Sequence, residues 1–230
     1  MADNATGKSR VGRPRASRKA LEGPVRESIM AAARDLFRDR GFAGTSTREI
    51  AAAVGLRQPS LFHYFKGKEA IFEAVAIAAV QPVLDFLATE QQHPQTPEVA
   101  LYRMVSFDNL HLCTNENALG PLSRFPEMTR SRQPRFWELR DRIIDAYRDT
   151  LSTGVQAGSL FVEDLESTTQ FLFALGESTL LWFPRENPYS HAQQVARCAA
   201  GIALRAVLAD PRKFEDVQRA ACLQDITLQG

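Results

Sequence analysis

The chain has 230 residues, 44% hydrophobic and 24% charged, a balance ordinary for a soluble globular protein of one or two domains. The formal net charge of +1 hides an asymmetry, because residues 1–70 hold 14 Lys+Arg against 7 Asp+Glu and residues 71–230 hold 14 against 20. Only the first end suits a polyanion.

Three widely spaced cysteines, Cys113, Cys198 and Cys222, fit neither a disulfide framework nor a zinc pattern. No apolar segment follows the basic N-terminus as a secretory signal would require. The richest apolar run, Ala74 to Val80, is too short to span a membrane. A cytoplasmic protein with reduced, mostly buried thiols and no membrane partner is expected.

Residues 1–21 are polar and cationic and are expected to form a basic arm, disordered when free. Within it, Gly12, Arg13 and Pro14 resemble the core of an AT-hook. Either Arg13 enters a narrow minor groove or the arm adds phosphate attraction alone. Gly23 and Pro24 are expected to open the first helix, with Val25, Ile29, Ala32, Ala33, Leu36 and Phe37 as its apolar stripe and Gly41 as its stop. Arg34, Arg38 and Arg40 are read as solvated.

Ser46 and Glu49 have the spacing of a capping box, so a second helix should start there. Ile50, Ala51 and Val54 give it one apolar face, and Gly55 supplies the turn. Pro59 belongs in the first turn of a third helix, about Gln58 to Phe65, which buries Leu61 and Phe65. Its remaining face is polar at the start and aromatic at the end, which suits a DNA groove. A fourth helix begins at Lys68 and runs to about Thr89, with Pro82 expected to kink or end it.

The ordered set Thr47, Ile50, Ala51, Gly55, Leu61, Tyr64, Phe65, Lys68, Glu69 and Ile71 resembles the DNA-binding domain of TetR-family transcriptional regulators. The resemblance implies an all-α protein. An N-terminal three-helix helix-turn-helix domain, residues 22–82 with the motif at 46–65, precedes a larger helical ligand-binding and dimerisation domain, residues 83–230. It also implies a homodimer on a near-palindromic DNA operator, acting as a repressor that a small hydrophobic or aromatic effector releases. Carried over by position, Thr47, Arg57, Gln58, Ser60, His63, Tyr64 and Lys68 face DNA, with Arg13 from the arm. Gln58 is the base reader, while Tyr64 and Lys68 grip phosphate. Two positions depart from the family pattern. Arg57 stands where a serine cap is usual, and Phe62 stands where a tyrosine hydroxyl reaches phosphate; Phe62 is expected to pack.

Beyond a polar connection at Gln91 to Pro97, helices are expected over about 97–113, 136–158, 164–183 and 190–208, with a short one near 214–223. Residues 115–134 carry one glycine and three prolines and should form loops and short helical pieces. The resemblance implies an effector pocket in this domain, for which Phe107, His111, Phe125, Trp137, Tyr147, Phe171 and Glu177 are candidates. The two helices at 164–183 and 190–208, the second rich in small residues, are expected to form the dimer interface. No phosphate loop, nucleophile elbow or metal-ligand spacing is present in the sequence, and no cofactor or enzymatic activity is expected. The competing readings are a DNA-binding factor with no small-molecule effector and an all-α enzyme on the same scaffold.

Overall fold

The computed structural model describes residues 18–93, 95–115, 118–184 and 191–222. The arm position Arg13 lies outside them. The described residues form nine α-helices: α1 (Arg18–Arg40), α2 (Thr47–Ala53), α3 (Gln58–Leu61), α4 (Lys68–Glu90), α5 (Pro97–Thr114), α6 (Pro134–Gln156), α7 (Leu165–Trp182), α8 (Ala192–Val207) and α9 (Phe214–Cys222). Short 3₁₀ turns lie at Leu122–Arg124 and Pro211–Lys213, and one isolated bridge pairs Leu160 with Leu208.

Helix α1 starts at Arg18, ahead of the expected Gly23–Pro24 start, and carries Pro24 inside it. Pro24 is the seventh residue of the helix, so its missing N–H leaves the residue 20 carbonyl without its helical donor, and the helix continues through it at the cost of that bond. Ile29, Ala33 and Phe37, spaced by four, are fully buried, and Gly41 at φ 73° ends the helix.

The capping box of α2 is formed as expected. Ser46 Oγ accepts from the Glu49 N–H at 3.2 Å, and Glu49 Oε2 accepts from the Ser46 N–H at 2.9 Å. Gly55 at φ 69° makes the turn. Helix α3 stops at Leu61 rather than Phe65. Beyond it the chain tightens into three-residue turns, His63 N–H to Ser60 O at 3.2 Å and Tyr64 N–H to Leu61 O at 2.9 Å. This tighter winding still sets Phe65 in the core beside Leu61.

Helix α4 runs unbroken through Pro82, which does not end it. By length and composition this helix could cross a membrane, contrary to the expectation that no segment could. Its apolar residues are accounted for by two protein cores. Ile71, Phe72, Val75 and Ala76 pack in the N-terminal core, whereas Val83 and Leu84 pack in the second. A helix that serves two cores must be apolar on several sides.

The N-terminal core is not closed at residue 82. Leu119, Phe125, Met128 and Phe136 join it, and the Phe125 ring lies 5.4 Å from that of Phe72, which in turn meets Phe37 and Phe42. Glu73 Oε1 on α4 accepts from the Arg135 and Phe136 N–H groups at 3.1 and 3.4 Å, capping α6 from another helix. In the second core α5 packs most extensively against α8. There Ala196, Ala199, Ala200, Gly201 and Ala203 are buried, so the small residues of α8 serve close packing within the chain. Asp164 caps α7 by accepting from Ser167 N–H at 2.8 Å.

Ser46→Ala removes the side chain that caps α2. It should lower stability by about 1 kcal/mol, seen as a drop of roughly 2–4 °C in thermal unfolding.

Candidate DNA-binding face and effector cavity

The residues assigned to DNA lie on α2, α3 and the start of α4. Thr47 is the first residue of α2, Arg57 precedes α3, and Gln58 and Ser60 lie within it. His63 is exposed and Tyr64 half-buried on the turn that follows, and Lys68 opens α4. Gln58 Nε2 donates to Thr47 Oγ1 at 2.9 Å, so the two helices of the motif are tied at their polar tips. Arg57 is exposed and its side chain makes no cap bond, as its departure from serine implies.

One expectation changes. Phe62 does not pack away: its residue is 47% exposed, on the same turn as His63. Lys68 is anchored inside its own domain. Its Nζ donates to the carbonyls of Phe42 and Thr45, each at 2.8 Å, and lies 4.2 Å from the Phe42 ring centroid. Two of its three N–H donors therefore hold the turn after α1. Of the arginines read as solvated, Arg40 remains exposed and pairs with Glu49 at 2.9 Å, and the more covered Arg34 and Arg38 pair with Asp35 at 3.0 and 2.8 Å.

A cavity of about 90 Å³ lies between α4, α5, α6 and α7 and is closed at one end by residues 118–122 and Met128. Ala76, Ala79, Val80 and Val83 line it from α4, and Phe136, Ile143 and Phe173 add apolar wall from α6 and α7. Of the residues proposed from sequence, His111 and Glu177 line it. Tyr147 is fully buried behind it, its hydroxyl donating to Asp108 Oδ2 at 3.0 Å. Phe107 stacks on Phe86 at 4.1 Å instead, Phe125 sits against Phe72, and Trp137 packs on the N-terminal core; none of the three is in the wall. Phe171 is 74% exposed, on the outer side of α7 with Leu181 and Trp182. Helical phase explains this correction. Phe173, two positions on, turns inward.

Sequence reasoning missed Asp108 and Arg140. A carboxylate inside the apolar run of α5 was the available signal, since charged residues are rarely buried without a purpose or a partner. Arg140 donates to both oxygens of Glu177, at 2.8 and 3.3 Å, and lies over the rings of Trp137 and Phe173 at 5.2 and 4.7 Å.

Burial pushes the Asp108 carboxyl up to about 6, with Glu177 adding to the rise and the Tyr147 hydroxyl and Arg140 opposing it. The Tyr147 phenol is driven well above its ordinary value by burial and by Asp108. Burial lowers the His111 pKa, so the ring is neutral at pH 7. Its Nε2 lies 2.7 Å from Ala79 O, and a carbonyl can only accept, so Nε2 carries the proton. Asn115 Nδ2 donates to the same carbonyl at 3.0 Å. Cys113 is buried and its thiol is pushed up to about 12, leaving it a poor nucleophile, whereas Cys198 and Cys222 are exposed, contrary to the expectation of mostly buried thiols. Among the described residues no three His, Cys, Asp or Glu side chains are placed to hold a metal ion.

Residues 29–75 match the sequence model of bacterial regulatory proteins of the tetR family. Over 192 residues, 78% of this chain and 88% of the relative, the sequence is 25% identical to the HTH-type transcriptional repressor KstR2 of Mycolicibacterium smegmatis. The fold is similar to that of a bacterial regulatory protein in the tetR family from Rhodococcus RHA1, with a TM-score of 0.71 and 23% identity over 81% of this chain and 98% of that one. It is also similar to AibR, whose structure holds isovaleryl coenzyme A and operator DNA, with a TM-score of 0.65 and 21% identity over 77% and 97% of the two chains.

Because the folded-state pKa of Asp108 is raised, its contribution to stability is present below about pH 4 and is lost as pH rises through about 6. Asp108→Asn has no such titration. Urea unfolding at pH 4.5 and 7.5 should show the variant gaining on the wild type, by about 2 kcal/mol, at the higher pH.

Proposed function

We propose that this chain is a DNA-binding transcriptional regulator of the TetR family, a homodimeric repressor released from a near-palindromic operator by a small, largely apolar effector. The single observation that carries the reading is the continuity of the cavity wall with the DNA-binding core. Helix α4 opens at the motif with Lys68 and lines the cavity with Ala76, Ala79, Val80 and Val83. Phe136 and Met128 belong both to that wall and to the N-terminal core.

On the DNA side, Gln58 is the reader of a base edge. Its amide is presented at the tip of α3 and held by Thr47, a geometry suited to a bidentate contact with adenine. Ser60, His63 and Tyr64 supply phosphate contacts, and Arg57, free of a capping role, adds another. Lys68 fixes the turn after α1 with two of its N–H groups and keeps the third for phosphate. Arg13 extends the contact surface from the arm.

The second copy belongs on the outer face of α7 and α8. Phe171, Leu181, Trp182 and Ile202 are all exposed there, a set of large apolar groups that a lone chain would leave in water. Two copies related by a two-fold axis bring two motifs to two half-sites.

The cavity is smaller than the few hundred Å³ typical of ligand pockets. A ligand that enters it must push its walls apart, and α4 is one of them. Binding then favours a conformation other than this one, which is the condition for an effector to weaken DNA binding.

Selection of bound DNA from a random pool should enrich an inverted repeat. Gln58→Ala should relax preference at one position of each half-site, with a loss of about 1–3 kcal/mol against the preferred base. Recovery of random sequence by the wild type, or a monomeric mass in light scattering at micromolar concentration, would sink this reading.

A further inference from the structure

The cavity's polar groups favour one sign of charge. Resting on the reading that this cavity receives the effector, we propose that the effector is a small apolar amine whose protonated nitrogen is held by the Asp108 carboxylate. The charged side chains in the wall are Asp108, Glu177 and Arg140, a formal balance of −1, with His111 neutral beside them. An ammonium brings that balance to zero. A carboxylate ligand brings it to −2 in a site where charge is poorly solvated.

Arg140 does not offer an anion a ready partner. Its guanidinium already grips both oxygens of Glu177 and lies over two aromatic rings. Taking it for a ligand carboxylate would strip Glu177 of that partner in the same cavity. His111 is committed too, since its Nε2 proton goes to Ala79 O.

Asp108 is different. It is buried, it lines the cavity, and its one hydrogen-bond donor among the described residues is the Tyr147 hydroxyl. An ionised carboxylate accepts about four hydrogen bonds. The donors it lacks are what an ammonium group supplies. Around it, Phe136, Ile143, Phe173 and Leu112 offer an apolar wall for the rest of the molecule.

Titration calorimetry on the full chain at pH 7.5 tests this with three probes that share one apolar body: 2-phenylethylamine, 2-phenylethanol and phenylacetate. The amine should bind tightest and phenylacetate weakest, with about tenfold or more between them. In Asp108→Asn the amine should fall to the level of the alcohol, while the alcohol is unchanged. Phenylacetate binding as tightly as the amine, no amine binding at millimolar concentration, or an amine preference that survives Asp108→Asn would each overturn the proposal. The three-probe comparison on the wild type stands whether or not the variant folds. Operator binding without any probe, measured on the same preparation, separates the two readings. If it persists while the amine preference is missing, only the ligand class fails; if it is absent, the regulator reading fails.

Discussion

One helix has two cores to fill, and most of the structure follows from that constraint. The first half of α4 closes the small N-terminal core with Ile71, Phe72, Val75 and Ala76, and its second half enters the larger core with Val83 and Leu84. Neither core can shift along α4 without the other feeling it, because packed interiors are bistable rather than continuously deformable. The join is reinforced from the side. Glu73 caps α6, and Phe125 reaches from the α5–α6 connection to Phe72. The two cores are thus joined along a broad seam.

Within that seam the cavity meets α4 at its weakest point. Pro82 has no N–H to give to the carbonyl one turn back, so a proline inside a helix loosens the backbone there. Close by, the Ala79 carbonyl accepts from His111 and Asn115, both of which line the cavity. Side chains from α5 and its C-terminal end therefore hold the loosened stretch of α4 in place. Under the effector reading, a ligand that moves His111 or Asn115 removes that support and frees α4 to change its angle. The motif at its other end moves with it, because Lys68 fastens the first turn of α4 to the carbonyls that end the α1 turn.

Much of this was legible in the sequence, and the limits have physical causes. The capping box at Ser46, the glycine turns at Gly41 and Gly55, and the helical spacing of α5 to α8 are local signals, and each produced the feature expected of it. What failed was the choice of side. Helix α7 is apolar around most of its girth, so periodicity could not say that Phe173 turns inward and Phe171 outward. The carbonyl contacts of Lys68 were not legible either. A lysine at the start of a helix can serve a phosphate or a carbonyl, and only the fold brings the carbonyls of Phe42 and Thr45 within 2.8 Å. The end of α3 was misplaced because the turns after Leu61 keep Phe65 buried, so the apolar pattern is the same whether the helix continues or tightens.

The buried carboxylate is where stability and function part company. A leucine in place of Asp108 would face apolar neighbours on several sides and would escape the desolvation that raises the acid's pKa to about 6. The fold instead keeps a charge that costs more as pH rises and supports it with a tyrosine hydroxyl from α6. Folded proteins tolerate such local inconsistency chiefly where a site needs it. The same carboxylate joins the positions that a ligand would disturb. Asp108 lies one turn before His111 on α5, it is bonded to Tyr147 of α6, and it faces Glu177 and Arg140 across the cavity. A group that neutralises it would relieve the electrostatic cost of burying that charge. The walls around it could then rearrange at smaller expense, and α4 is the wall that leads to DNA.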